Sequence, residues 1–247
     1  MAIALRGTAT AHNELNPTTT FTHTVDANVL ADDLLFVTVT SRDSTAGSSD
    51  VTCTDDDTGG NSWSVLTNTA DKKAWVFWKR ATSGTASKTI TVANCVGSAS
   101  GVLKAFSGAD TGATPYTDTA TETNAAGDET HAGITPTGAD SMVCAVIVNI
   151  DNNNNVTLLS FATLGATTMT EALSTGGLDC SVAFGHALQA GGSAATGGLT
   201  WTQNDFATYS IVFAIKILSV GGGDPEGSLV AGKLLRGGLL LHGVLGR

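Results

Sequence analysis

Apolar and polar positions change places along this chain in short runs, and no run repeats with the 3.6-residue spacing of an amphipathic helix. Residues 34–40 (LLFVTVT), 63–66, 74–78 (AWVFW), 101–106 and 181–188 are compact apolar stretches bounded by turn formers. Residues 88–92 (KTITV) alternate with period two, the mark of a strand with one wet face. The longest apolar run, 141–149 (SMVCAVIVN), predicts a central strand. Residues 156–161, 167–171 and 209–218 complete the predicted strands. Clusters of Gly, Asn, Asp and Ser at 55–61, 107–112, 152–155 and 191–198 separate them, and these residues favour turns through positive φ or local hydrogen bonds. Ten or more short strands with regular turns predict an all-β antiparallel sandwich, jelly-roll or concanavalin-like, over residues 1–218.

Composition strengthens this reading. Threonine occupies 38 of the 247 positions and glycine 29, so β-branched residues and helix breakers dominate. At 42% hydrophobic the chain has enough apolar matter for a core, which excludes disorder. The net charge of −10, with no basic run longer than Lys72-Lys73 or Lys79-Arg80, argues against nucleic acid as a partner. The first residues lack a basic, then apolar, signal pattern, and no stretch reaches the length of a membrane-spanning helix. Cys53, Cys95, Cys144 and Cys180 have no zinc-site spacing and read as buried thiols rather than disulfides.

The character of the chain changes at residues 219–226, a Gly-rich hinge containing Gly221-Gly-Gly-Asp-Pro225. Beyond it, residues 227–247 carry a net charge of +3 against −13 for residues 1–226. This arm holds Leu229, Val230, Leu234, Leu235, Leu239, Leu240, Leu241, Val244 and Leu245 between frequent glycines. So much leucine is not comfortable in water. Either the arm packs back on the body as edge strands, or it docks on another subunit. The hinge and the opposite charges favour docking.

Several phrases, taken in order, resemble a β-sandwich type found in bacteriophage virion proteins and bacterial surface proteins. They are residues 31–39 (ADDLLFVTV), the Gly-Asn-x-Trp turn at 60–63, the aromatic strand with its lysine at 74–81, the alternating strand 88–92, the Phe-Ser-Gly-x-Asp-Thr segment at 106–111 and the apolar strand 209–218. The arm also resembles the C-terminal ends of some phage structural proteins. The resemblance covers most of residues 30–218. It implies a jelly-roll or concanavalin-like sandwich used for display, decoration or binding, and it supplies no catalytic residue.

Candidate chemistry is sparse. The histidines are scattered, and residues 97–101 (GSASG) have Ala where a nucleophile elbow needs Ser, so no catalytic set is expected. No cofactor is expected either. Asp55, Asp56 and Asp57, and separately Asp151 with the asparagines after it, offer hard oxygens for calcium, but neither fits a calcium-loop pattern, and a solvated acidic turn is the plainer reading. Trp63, Trp75 and Phe77 offer a platform on which a sugar ring could stack, against plain core packing. The resulting expectation is a non-enzymatic bacteriophage virion protein, most simply a capsid decoration or cement protein. Its partners would be its own copies, with a trimer favoured by analogy, and the major capsid or another virion protein. The competing expectation is a carbohydrate-binding adhesion module of a tail fibre or cell surface, with a host glycan as partner.

Overall fold

The computed structural model of the chain describes residues 3–14, 20–45, 49–57, 62–124, 129–137, 140–150, 156–173, 180–190, 194–203 and 208–218. Among these residues every regular element is a strand, and all the pairings are antiparallel. The arm and its hinge, with the nine interface candidates, lie outside the described residues, as does Asp151.

The strands fall into two successive windings. The first comprises β1 (Ala4–Leu5), β2 (Thr10–Glu14), β3 (Thr20–Thr24), β4 (Leu34–Ser41), β5 (Thr52–Asp55), β6 (Ser64–Asn68), β7 (Ala74–Arg80), β8 (Thr89–Ala93) and β9 (Ala99–Ser107). Its large sheet runs β1-β9-β4-β7-β6, with β2 also on β9, and a small sheet β3-β8-β5 faces it. The second comprises β10 (Tyr116–Asn124), β11 (Thr130–His131), β12 (Ser141–Asn149), β13 (Leu158–Phe161), β14 (Gly165–Ala166), β15 (Thr168–Leu173), β16 (Ser181–Gln189), β17 (Leu199–Thr202) and β18 (Thr208–Lys216). Its large sheet runs β10-β18-β12-β16-β15 and its small sheet β11-β17-β13-β14.

The two orders are the same order. β2-β9-β4-β7-β6 maps onto β10-β18-β12-β16-β15, and β3-β8-β5 onto β11-β17-β13. The chain crosses between large and small sheet at most of its connections, which is jelly-roll winding, executed twice. Registers agree as well. If Leu34 is laid on Met142, their hairpin partners Arg80 and Leu188 coincide, Ser41 meets Asn149, and through those Ala99 meets Thr208.

The packing order follows from which faces are apolar. Leu34, Phe36, Val76, Val102 and Phe106 on one face of the first large sheet pack against Met142, Cys144, Val146, Phe184 and Phe213 of the second. The other face of the first large sheet, with Leu35, Val37, Val39, Trp75 and Phe77, closes on Phe21, Ile90 and Val92 of its small sheet. Val143, Ala145, Ile147 and Val212 do the same with Leu159, Phe161, Leu199 and Trp201 in the second winding. The molecule is thus a stack of four sheets, small-large-large-small, with three dry layers between them. A large sheet that is dry on both faces needs strands apolar at consecutive positions, and β4 and β12 are buried at every residue. Outer strands keep the alternation of a half-wet sheet, as in β3 and β17.

Polar bonds cross the seam between windings. Arg80 donates to the carbonyl oxygens of Asp110 (2.7 Å) and Gly112 (3.0 Å), Ser100 Oγ to that of Cys180 (3.0 Å), and the Tyr209 hydroxyl to Asp71. At one end of the seam, Ala4 pairs with Ser107, and the Leu218 N–H donates to the Gly108 carbonyl (2.9 Å).

Candidate functional site: a buried lysine between two aspartates

Strand β7 carries Trp75, Phe77 and Lys79 on the same face, toward the small sheet. Trp75 and Phe77 supply apolar bulk there, and Lys79, only 1% exposed, follows them into the interior. A buried ammonium needs partners. β5 and the turn after it supply them: Lys79 Nζ lies 2.7 Å from Asp55 Oδ2 and 3.3 Å from Asp57 Oδ2. Both carboxylates are nearly sealed, with side chains 5% accessible.

The aspartates are themselves held. The Trp63 indole N–H donates to Asp55 Oδ2 (2.7 Å), and the Asp57 backbone N–H to Asp55 Oδ1 (3.1 Å). The hydroxyls of Thr82 (2.8 Å) and Thr85 (2.7 Å) donate to Asp57 Oδ2. The two threonine hydroxyls and then Lys79 favour the anion, and they bring the Asp57 carboxyl down to about 2. Beside this cluster opens a cavity of about 470 Å³ lined by Cys53, Asp55, Asp57, Trp63, Phe77 and neighbouring residues of β5 and β6.

The expected site residues are redistributed by these contacts. Asp55 and Asp57 spend their oxygens on Lys79, Trp63 and threonine hydroxyls rather than forming an open oxygen cage. Asp56 points elsewhere, accepting the Thr89 N–H at 3.0 Å. No group of three or more His, Cys, Asp or Glu suited to a metal occurs among the described residues. The platform expected of Trp63, Trp75 and Phe77 is corrected at Trp75. That ring is 1% exposed and packed between sheets, so no sugar reaches it. Trp63, half-buried, and the edge of Phe77 remain on the cavity wall. Lys79, Thr82 and Thr85 were missed by the reading of sequence motifs. The signal was present in the alternation of β7, which puts Lys79 on the face of Trp75 and Phe77.

The arrangement is peculiar to the first winding. In the register that lays Leu34 on Met142, the positions of Trp75, Phe77 and Lys79 are taken by Ala183, Gly185 and Ala187. The room is filled from the small sheet instead: a Cβ on Gly185 would stand 2.4 Å from both Leu159 Cδ2 and Thr167 Oγ1.

A second buried lysine lies at the seam. Lys104 of β9, 1% exposed, donates to the Thr168 carbonyl and contacts His186 Nδ1, each at 3.0 Å, and stands 5.0 Å over the Phe184 ring. An ammonium has only donors, so this contact needs neutral His186 accepting at Nδ1. Burial lowers both groups, Lys104 to about 8 and His186 to about 4, the neighbouring ammonium adding to the shift of His186. The four cysteines are free and buried, and burial raises the thiols of Cys53, Cys95 and Cys144, Cys95 to about 12, which keeps them protonated and unreactive.

The described residues thus form two successive jelly-roll windings, with the charges of Lys79, Asp55 and Asp57 spent on one another in the first. Compared with models of known protein families, with curated proteins and with solved structures, the chain finds no match.

Proposed function

We propose that the protein is a non-enzymatic structural component of a bacteriophage virion, a capsid decoration or cement protein. In this reading the four-sheet body is displayed on the particle, and residues 227–247 join copies to one another or to the shell. The observation that supports it is how the body spends its apolar surface. The strands bury theirs in three internal layers, and the large hydrophobics left exposed among the described residues are Leu30, Val65, Val96 and Leu188, on separate segments. Such scattered residues do not make an attachment patch. Attachment then falls to the arm, where nine apolar side chains follow one another in sequence with a charge opposite to that of the body. At ~1.5–3 kcal/mol for each side chain buried, less the cost of ordering them, several docked residues hold a subunit firmly. Repetition round a symmetric shell multiplies the effect.

The test is size measurement by light scattering, with particle binding, on the intact chain and on a Leu234→Asp/Leu240→Asp double variant. The reading expects the variant to keep its β circular dichroism spectrum and lose assembly or particle binding. Unchanged assembly and binding would sink it.

One observation favours a second reading, a glycan-binding adhesion module: the cavity beside Trp63, with Thr52, Thr54 and Ser62 on its rim. A half-buried indole with hydroxyls around it is the combination on which sugars stack and hydrogen-bond. Glycan-array binding that disappears in Trp63→Ala would support this reading, and an array blank for the intact protein would remove it.

A further inference from the structure

We propose that Lys79 and Asp55 condense to an intramolecular amide, with Asp57 as the neighbouring anion that holds the remaining charge while they do so. The product is a covalent staple between the small sheet and the large sheet of the first winding. The proposal is independent of any role in a virion.

The geometry supplies each requirement in turn. The nucleophile and the acyl carbon must be neighbours before reaction, and Lys79 Nζ stands 2.7 Å from Asp55 Oδ2. Held that way, the pair has the high effective concentration of an intramolecular reaction. The pair must also be able to exist as neutral amine and neutral acid. One ammonium lies against two carboxylates, and transfer of a proton from nitrogen to oxygen within the 2.7 Å pair leaves one charge where there were three. Asp57 is the group that keeps that charge. It lies 3.3 Å from Nζ, and the hydroxyls of Thr82 and Thr85 bond its anion.

The acyl carbon must be polarised where negative charge develops. Asp55 receives an N–H on each oxygen, from Trp63 on Oδ2 and from the Asp57 backbone on Oδ1. Those donors are fixed by the fold and suit the tetrahedral adduct. Finally, water must be kept away once the amide has formed, and the Lys79 side chain is fully enclosed.

The step balances with no further reagent. The ammonium gives one proton to the Asp55 carboxylate across their 2.7 Å contact, while Asp57 stays an anion. Neutral Nζ attacks Asp55 Cγ, a C–N bond forms, and the adduct gives up one carboxyl oxygen with two protons as water. Lys79 ammonium plus Asp55 carboxylate become a secondary amide and one water, and Asp57 ends as it began, an anion. Nothing is oxidised or reduced. With its four cysteines free, the chain carries no disulfide staple, and the second winding has Ala187 where the first has Lys79.

Intact-mass spectrometry of the full chain, denatured and reduced, decides the matter. The expected result is a mass lower than the sequence mass by one water, with a protease digest giving a branched peptide that joins the Lys79 segment to the Asp55 segment. Lys79→Met and Asp55→Ala should restore the full sequence mass of each variant. Asp57→Asn should accumulate the uncrosslinked form while keeping the native circular dichroism spectrum. A wild-type mass equal to the sequence mass overturns the proposal, and so does a lost water that maps to any other position. The wild-type measurement is decisive even where a variant fails to fold.

Discussion

At the scale of single residues, the dry layers leave little tolerance. Gly185 sits where any side chain would strike Leu159 and Thr167, so Gly185→Ala is expected to cost about 1–3 kcal/mol by overpacking, read as a lower denaturant midpoint with an unchanged slope. Gly101 is pinned in the same way, since its Cβ would stand 2.7 Å from the Phe21 ring. Two histidines make a pH prediction. Burial holds both His23 and His186 at about 4, against an ordinary value of 6.5; for His23 the nearby His12 adds to the effect, for His186 the Lys104 ammonium. The folded state therefore binds fewer protons than the unfolded chain between those two values. The stability from keeping these rings neutral is whole above pH 6.5 and is lost as pH falls toward 4. Thermal melts should show Tm falling steadily across that window, and His186→Gln should flatten part of the slope. The sign is opposite to that of an ordinary salt-bridged histidine, which would stabilise on acidification.

At the scale of elements, the central strands are buried along their whole length. Phe213 of β18 packs against Phe36 and Phe184 at ring-centroid distances of 5.1 and 6.2 Å, across the seam and beside it. Phe213→Ala should cost about 3–5 kcal/mol, and chemical denaturation is the check. The same strands were the legible ones. β4, β7, β9, β12, β16 and β18 are apolar on consecutive positions because both their faces are dry, and they stand out from sequence for that reason. The predicted strands do not include β1, β2, β5, β11 and β14, nor β3 (TFTHT), β10 (YTDTATETN) and β17 (LTWT). All are short or edge strands, and the wet faces of the last three carry threonine, which serves turns and strands alike. β10 is further interrupted by a register shift between Thr117 and Ala120, where Asp118 takes a φ of 53° and receives the Thr137 N–H. At the site, the acidic turn and the tryptophan could be seen in the sequence. Their common partner could not, because Lys79 reaches Asp55 across 24 residues of chain by passing from one sheet to the other.

At the scale of the whole molecule, the two windings share a core rather than standing side by side. The largest apolar cluster draws on both large sheets, so neither winding is dry on its own. A single cooperative transition is therefore expected, with Trp75 in the first winding and Trp201 in the second losing their buried environments together. Two separated calorimetric peaks would contradict this account. Repetition of the winding was invisible in the sequence for a physical reason. The fold asks each strand for a pattern of buried positions, not for particular residues, and Trp75-x-Phe77-x-Lys79 fills that pattern as well as Ala183-x-Gly185-x-Ala187 does when the facing sheet is adjusted.

The seam also gives the molecule a direction. Ala4 beside Ser107 and Leu218 beside Gly108 bring the first and last described strands to the same corner of the stack. The two ends of the described chain thus meet at one pole of the stack. A label fused ahead of residue 3 and one fused after residue 218 would therefore start from the same corner and should lie close enough for energy transfer between them.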